Sequence, residues 1–411
     1  MITITPFKAL RPEAQHAKSV ASRPYDVLNS KEAKIEAQGN PNSFLHITKS
    51  EIDLPETLDS HHADVYLKAK ENLQAFISRK ILFQEHKPCY YIYRLQMNGA
   101  TQAGLVCTSS VDDYENGLIK KHEFTRPDKE LDRITHIQIT GAQTGNVFLA
   151  YKQVEAIDTL LNNWMATKDC QYNFIADDGV QHSIWVVQDD ATITQITQLF
   201  KTHVPASYIA DGHHRAASAA KVRAAVAPEL QLPNMSCFLT TLFPSNQLNI
   251  IDYNRLVKDL NGHSTKDFLA ALQDAFEVEQ RVATYKPDQL HCFGLYLDKK
   301  WYKLTAKPDT YSSDALGILD INILQEHLLT PLLGIEDQRT DPRIDFVGGI
   351  RGLEALEERV DSGEMALAIS LYPVSISQLF AVADNNEVMP PKSTWFEPKL
   401  RDGLLTHLIN E

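Results

Sequence analysis

The chain has 411 residues, 43% of them hydrophobic, and a formal net charge of −13. That length suits two or three packed domains with a sizeable core, and the acidic balance argues against a general nucleic-acid binder, which needs a basic face against phosphates. A small anionic ligand in a locally basic pocket stays compatible with it. No stretch approaches the roughly 20 apolar residues of a membrane span, and the N-terminus lacks the basic start and apolar run of a secretory signal. Five scattered cysteines, Cys89, Cys107, Cys170, Cys237 and Cys292, form no CxxC pair. A reducing, cytoplasmic setting is expected, with no nucleic-acid or membrane partner. A homo-oligomer is compatible with the sequence.

Along the chain, Arg23-Pro24-Tyr25-Asp26-Val27-Leu28 opens with an extended or turn segment, because Pro24 restricts its neighbour. Ser30–Gln38 reads as a short helix ended by Gly39-Asn40-Pro41, and His62–Arg79 carries a partial apolar stripe of helical period. Cys89–Met97 is aromatic and β-prone, Asn98-Gly99 is a hairpin turn signal, and Gln102–Ser109 is the return strand. Gly117–Arg126 is a polar, charged connection before a helix over Lys129–Thr140. Strands are predicted at Gly145–Tyr151 and Ser183–Val187, around a helix at Val154–Thr167. Tyr208-Ile209-Ala210 is a strand running into Asp211-Gly212, and His213–Val226 is an alanine-rich helix. Cys237–Phe243 is a further strand.

The remaining chain holds predicted helices at Thr265–Phe276 and Ile321–Leu333, and strands at Cys292–Leu297 and Met365–Leu371. The fold class is mixed α/β (α+β). Three regions are expected: 1–110, a core at 111–245 and a C-terminal region at 246–411.

The segment Tyr208–Ala220, YIADGHHRAASAA, is the strongest chemical signal. A strand ends, Gly212 permits a tight turn and close ligand approach, and the first helical amides point outward unpaired. The helix start favours an anion. Arg215 can grip phosphate oxygens in a bidentate manner, and His213 and His214 can donate or transfer protons. Asp211 can orient a histidine, act as a base or cap the helix, but capping would not account for two histidines and an arginine in one turn.

A second constellation, Lys120-Lys121-His122-Glu123-Phe124-Thr125-Arg126, mixes cations, a carboxylate, an imidazole and a hydroxyl, so it offers phosphate contacts and a base together. The bland alternative is a solvated charged loop. Lys392-Ser393-Thr394 and Lys399, approached through two prolines, form a third cationic segment. His46, His61 and His62 read as structural, and Tyr90, Tyr91 and Tyr93 as sheet packing. The sequence contains no GxxxxGK[ST] loop, no GxGxxG between strand and helix, and no HExxH.

Taken together, RPYDVL, KHEFTR, AQTGN, ADGHHR, LDINILQEHLLTPLLGI and MPPKSTWFEPKL occur in the order of domain-of-unknown-function family 1015, which the chain resembles over nearly its whole length. ADGHHRAA is also similar to the phosphate-binding GxxR motif of the ParB/sulfiredoxin fold. That resemblance implies a nucleotide- or phosphate-binding core with N- and C-terminal additions. One branch of that fold carries a comparable DGHHR and phosphorylates free L-serine. Position 213 is histidine where sulfiredoxins carry cysteine, which argues against sulfinic-acid reduction.

The resulting expectation is a phosphotransferase acting on a small hydroxyl substrate, with L-serine or phosphoserine as the partner. ATP, ADP or pyrophosphate would be the donor, with Mg²⁺. Gly212, His213, His214, Arg215, Lys121, Arg126, Lys392, Ser393 and Lys399 are assigned to phosphates. Glu123, His122, Asp211 and His214 are assigned to catalysis, with Glu123 as base. Tyr25, Asp26 and Thr125 are assigned to substrate. A nucleotide-binding switch and a phosphohydrolase are the alternatives.

Overall fold

The structure, a computed structural model, describes every residue from Met1 to Glu411. Internal contacts divide it into two units. The first comprises Met1–Lys121, Thr125–Leu248 and Pro398–Glu411, and the second comprises His122–Phe124 and Asn249–Glu397. No helix is long and apolar enough to cross a membrane.

The first unit is built on a nine-stranded mixed sheet. Its strands are β1 (Ile4–Thr5), β2 (Tyr90–Met97), β3 (Ala100–Ser110), β4 (Ile119–Lys120), β5 (Val147–Tyr151), β6 (Tyr172–Ile175), β7 (Gln181–Val187), β8 (Ser207–Asp211) and β9 (Cys237–Pro244). The lateral order is β4-β8-β5-β9-β3-β2-β7-β6, with β1 beside β3. The β2–β3 hairpin closes where the sequence marks it, because Asn98 and Gly99 both hold positive φ, 50° and 79°, as a two-residue primed turn requires. Tyr90, Tyr91 and Tyr93 are fully buried on β2.

Helices α1 (Ser30–Ala37), α2 (Ala63–Ser78), α3 (Pro127–Thr140), α4 (Glu155–Thr167), α5 (Asp190–His203) and α6 (His213–Ala224) belong to the same unit. A capping box between Asn29 and Glu32 starts α1, satisfying two amides that the helix itself leaves open. Pro127 opens α3 at a position where no amide is needed, and Gly141 ends it at φ 70°, the left-handed stop glycine tolerates. In α6, Ala216, Ala217, Ala219 and Ala220 are all buried. Their small size lets this helix join the apolar core that includes Leu149, Tyr151, Phe200 and Ile209.

The second unit carries a six-stranded sheet of Tyr253–Val257, Phe276–Arg281, Cys292–Leu297, Lys300–Ala306, Ile344–Gly348 and Leu367–Ser370. Arg255 on the first of these strands is 1% exposed. Its nitrogens donate to Gln338 Oε1 at 3.2 Å, to the Pro391 carbonyl at 3.2 Å and to the Tyr253 carbonyl. Burial pushes its guanidinium down to about 9.

Several predicted boundaries move. The helix expected over Thr265–Phe276 stops at Leu272, and Phe276 begins a strand, since Phe276 and Phe293 pack edge to face at 5.7 Å. Ile321–Leu333 is not one regular helix: Asp320–Leu324 passes into a wider π turn over Gln325–Leu329. The connection at Gly117–Arg126 contains β4, because residues 119 and 120 find β8 as a parallel partner. The division at residue 110 is not a division of contacts, since β2 and β3 share one sheet with β5, β8 and β9.

Gly104 lies on β3, and a Cβ there would sit 2.8 Å from the Phe243 ring. Gly104→Ala should cost about 1–3 kcal/mol by overpacking. A lowered urea midpoint with an unchanged slope is the expected result.

Candidate functional site

The turn from β8 into α6 is where the sequence concentrates its chemistry. A register shift between Ile209 and Asp211 interrupts the pairing of β8 with β5; such an irregularity re-aims the residue that follows it. Gly212 then takes φ 97° and stands at the helix cap position, with no side-chain cap and no acidic residue in the first turn. The expectation that Asp211 could cap the helix fails for this reason: its carboxylate is taken by other partners. One oxygen lies 3.0 Å from Lys399 Nζ and the other 3.3 Å from Arg215 Nη2. Burial works to raise the Asp211 carboxyl, but Lys399 and Arg215 outweigh it and hold it well below the usual carboxylate range.

Arg215 is the centre of this network and is 9% exposed. Its Nη2 also donates to Asp26 Oδ2 at 3.0 Å, and its Nη1 donates to the Asn146 carbonyl. Burial opposes the charge, yet Asp26 and Asp211 raise the guanidinium pKa above its ordinary value. Its Nε is buried without a hydrogen-bond partner. The Tyr25 ring is near two cations, with the Arg133 guanidinium 3.9 Å and that of Arg215 6.0 Å from its centroid.

The turn also receives the stretch that follows Glu123. The Arg126 backbone amide donates to His214 Nε2 at 3.0 Å, so that ring nitrogen accepts and the proton of the neutral imidazole sits on Nδ1. Thr125 donates through its hydroxyl to Glu130, and Glu130 also pairs with Lys221 of α6. His213 is buried at the helix start. The Arg126 side chain instead reaches Asp128 at 3.0 Å.

Asp26, Asp211, Gly212, Arg215 and Lys399 are therefore brought together, with His214, Thr125 and Arg126 joined through α6. Lys121 is in the same unit, with its ammonium 3.8 Å from the Tyr114 ring centroid, and burial lowers its pKa. His122, Glu123, Lys392 and Ser393 belong to the second unit. There Met389 N donates to the His122 carbonyl at 2.8 Å, Thr394 Oγ1 lies 3.5 Å from His122 Nε2, and Lys392 holds φ 59°.

Three residues of the site escaped the sequence reading. Asn146, at the end of AQTGN, binds Arg215 through its backbone, and its side chain accepts from Thr241 at 3.0 Å. Asp402 is 2% exposed, and its Oδ2 has no hydrogen-bond partner. Burial pushes its carboxyl up to about 7, against the pull of Arg215. Arg133 pairs with Asp132 at 2.7 Å. The only local signals were the TGN turn and the Asp402-Gly403 pair after the last cationic segment. Neither says what it faces.

A small pocket of about 20 Å³ adjoins this network and is lined by Tyr25, Arg133, Gln143, Thr144, Gly145 and Arg215 among others. No group of three or more His, Cys, Asp or Glu side chains is arranged to hold a metal ion.

Fold and site define a mixed α/β protein whose glycine turn at a helix start is closed by a buried ion-pair network. The chain belongs to the family described as "Protein of unknown function (DUF1015)", whose model matches residues 4–324. Among solved structures it is similar to a free serine kinase in complex with AMP, with 12% identity, 73% of this chain and 92% of that chain covered, and a TM-score of 0.38. It is also similar to a conserved hypothetical protein from Pyrococcus furiosus (14% identity; 74% and 95% covered; TM-score 0.37). A third similar structure is SbnI with C-terminal truncation from Staphylococcus aureus (11% identity; 74% and 87% covered; TM-score 0.41). No curated protein matches the sequence.

Two predictions follow from the network itself. Arg215→Ala leaves Asp26 and Asp211 without their shared cation and should destabilise the chain by about 3–5 kcal/mol, read from denaturant unfolding. Asp402 titrates near 7 when folded but near 3.9 when unfolded, so the folded state holds the extra proton between those values. Its contribution to stability is therefore lost as pH rises from about 4 to about 7. Asp402→Asn should stabilise by about 2–4 kcal/mol at pH 8 and by almost nothing at pH 4; thermal melts at the two pH values check this.

Proposed function

We propose that this protein is a phosphotransferase acting on a small hydroxyl compound, with free L-serine as acceptor and ATP, ADP or pyrophosphate as donor. The observation that carries the reading is the uncapped start of α6 behind Gly212, with two histidines and an arginine in its first turn. Open amides at a helix start favour phosphate oxygens. Lys399, drawn to the same turn by Asp211, adds positive charge. L-serine enters through the resemblance of Asp211–Arg215 to the DGHHR of serine-phosphorylating relatives of the ParB/sulfiredoxin fold.

Phosphoryl transfer asks the protein mainly to position groups and to neutralise charge. Arg215 is tied to two carboxylates, so its part is to hold Asp26 and the turn in place, while its Nε is the donor left for a ligand. The acceptor hydroxyl needs a carboxylate within about 2.6–3.2 Å to take its proton. Glu123 is the base the sequence singles out. Asp26 is the one the geometry favours: its side chain is 36% exposed, and it stands at the Arg215 guanidinium beside Tyr25. Mg²⁺ enters this proposal with the donor, neutralising phosphate charge. Such ions are held largely by phosphates and water with one or two carboxylates, so the lack of a three-ligand cluster does not conflict with it.

The test is phosphoserine formation from L-serine, followed by mass spectrometry with ATP, ADP and pyrophosphate tried separately. Asp26→Asn should lower turnover by roughly 10²–10⁴ with donor binding retained, and Glu123→Gln should stay near the wild-type rate. The reverse pattern assigns the base to Glu123. Absence of phosphoserine in both directions with every donor would sink the kinase reading. Donor hydrolysis without acceptor would then indicate a phosphohydrolase, and donor binding without turnover a nucleotide switch.

A further inference from the structure

The C-terminal tail is bound to the N-terminal segment of the same unit. Asp402 and Ser22 exchange backbone hydrogen bonds: Asp402 N donates to the Ser22 carbonyl at 2.9 Å, and Ser22 N donates to the Asp402 carbonyl at 3.1 Å. The Asp402 carboxyl adds a second tie, a backbone hydrogen bond from Tyr25. Three positions earlier in the tail, Lys399 holds Asp211 at 3.0 Å. The segment fixed in this way, residues 22–26, carries Tyr25 and the proposed base Asp26.

This clasp has a weak point. Asp402 is 2% exposed, and its Oδ2 has no hydrogen-bond partner. The charged groups that face it are Arg215 from α6, Arg133 from α3 and Asp26 from the clasped segment itself. Both cations are engaged elsewhere. Arg133 pairs with Asp132 at 2.7 Å. Arg215 gives its Nη atoms to Asp26, Asp211 and the Asn146 carbonyl. Its Nε lies against Gly212, where a Cβ would come within 3.2 Å of it. An ionised Asp402 is therefore a buried charge with one oxygen unmet, beside the like charge of Asp26. Both effects disfavour the charged form. Letting the segment go opens the carboxylate to water. Two further side-chain ties of the segment, Arg23 to Glu36 and Asp26 to Arg215, each include a partly exposed partner, so they resist that release weakly.

We propose that Asp402 is the positioning residue of the Tyr25-Asp26 segment and acts as a proton-held clasp: the protonated acid keeps the segment on the C-terminal tail, and the ionised acid releases it. This rests on the phosphotransfer reading only for what Asp26 does there. Asp402 titrates near 7 in the closed state and near 3.9 once released into water, so the closed state holds the extra proton between those values. That advantage is complete below about pH 4 and is lost as pH rises through about 7. From pH 6 to pH 8 the open fraction should rise about tenfold and then level off.

The experiment is hydrogen–deuterium exchange of the full chain, read by mass spectrometry at pH 6 and pH 8 and corrected for the intrinsic pH dependence of exchange. Peptides covering 20–28 and 399–406 should exchange about tenfold faster at pH 8 in the wild type, with the β2–β3 hairpin unchanged. Asp402→Asn keeps an acceptor for the Tyr25 backbone and cannot ionise, so both peptides should stay protected at both pH values. Asp402→Ala lacks that acceptor and should exchange rapidly at both. Protection independent of pH in the wild type, a pH effect that survives in Asp402→Asn, or an equal loss in the hairpin overturns the clasp. The wild-type comparison decides the matter even if a variant misfolds. In the phosphoserine assay, kcat should fall between pH 6 and pH 8 in the wild type and not in Asp402→Asn; identical profiles overturn the positioning role. The expected exchange pattern without phosphoserine from any donor would defeat the kinase reading and leave the clasp standing.

Discussion

One buried guanidinium organises the first unit. Arg215 receives Asp26 from the N-terminal segment, Asp211 from the end of β8 and the Asn146 carbonyl from the approach to β5, and Lys399 reaches the same Asp211 from the C-terminal tail. Burying charge is expensive unless partners of good geometry surround it. Here four chain segments supply those partners, so the network holds together parts of the chain separated by 189 and 188 positions. Tyr25, held against Arg133 and Arg215, extends the same packing.

Asp402 shows the limit of that compensation. Burial, with Asp26 beside it, outweighs the pull of Arg215 on the Asp402 carboxyl and pushes it up to about 7. Such a group is costly for stability near neutral pH and ready to accept a cationic partner. The second unit solves the inverse problem differently. Arg255 is buried among carbonyl oxygens, without a carboxylate partner among its hydrogen bonds, and its pKa falls. One of those carbonyls is that of Pro391, so the buried guanidinium secures the turn that carries Lys392.

The legible part of the fold is the part governed by local rules. The Asn98-Gly99 hairpin, the proline start and glycine stop of α3, and the strand–glycine–helix passage at 207–224 all follow from backbone preferences of a few neighbouring residues. Residues 119–120 give no such signal, because a two-residue strand depends on β8 being at hand. Likewise Phe276 lies within a helical run yet joins a strand, because its aromatic partner Phe293 is supplied from elsewhere.

The candidate site divides along the same line. Sequence alone determined the mixed α/β class, the turn at Gly212 and the residue types concentrated there, because a positive-φ glycine at a helix start and a cluster of ionisable side chains are written in adjacent positions. Tertiary structure decided which of those charges are spent on one another. Arg215 reads in isolation as a phosphate grip, but its two Nη atoms are occupied by Asp26, Asp211 and Asn146. Asp402 carries no role in the sequence reading of the Lys-Leu-Arg-Asp-Gly tail, but it is buried and its carboxyl is pushed up to about 7. Pairing and desolvation depend on distances between segments remote in the chain, and a one-dimensional order of residues carries no record of those distances.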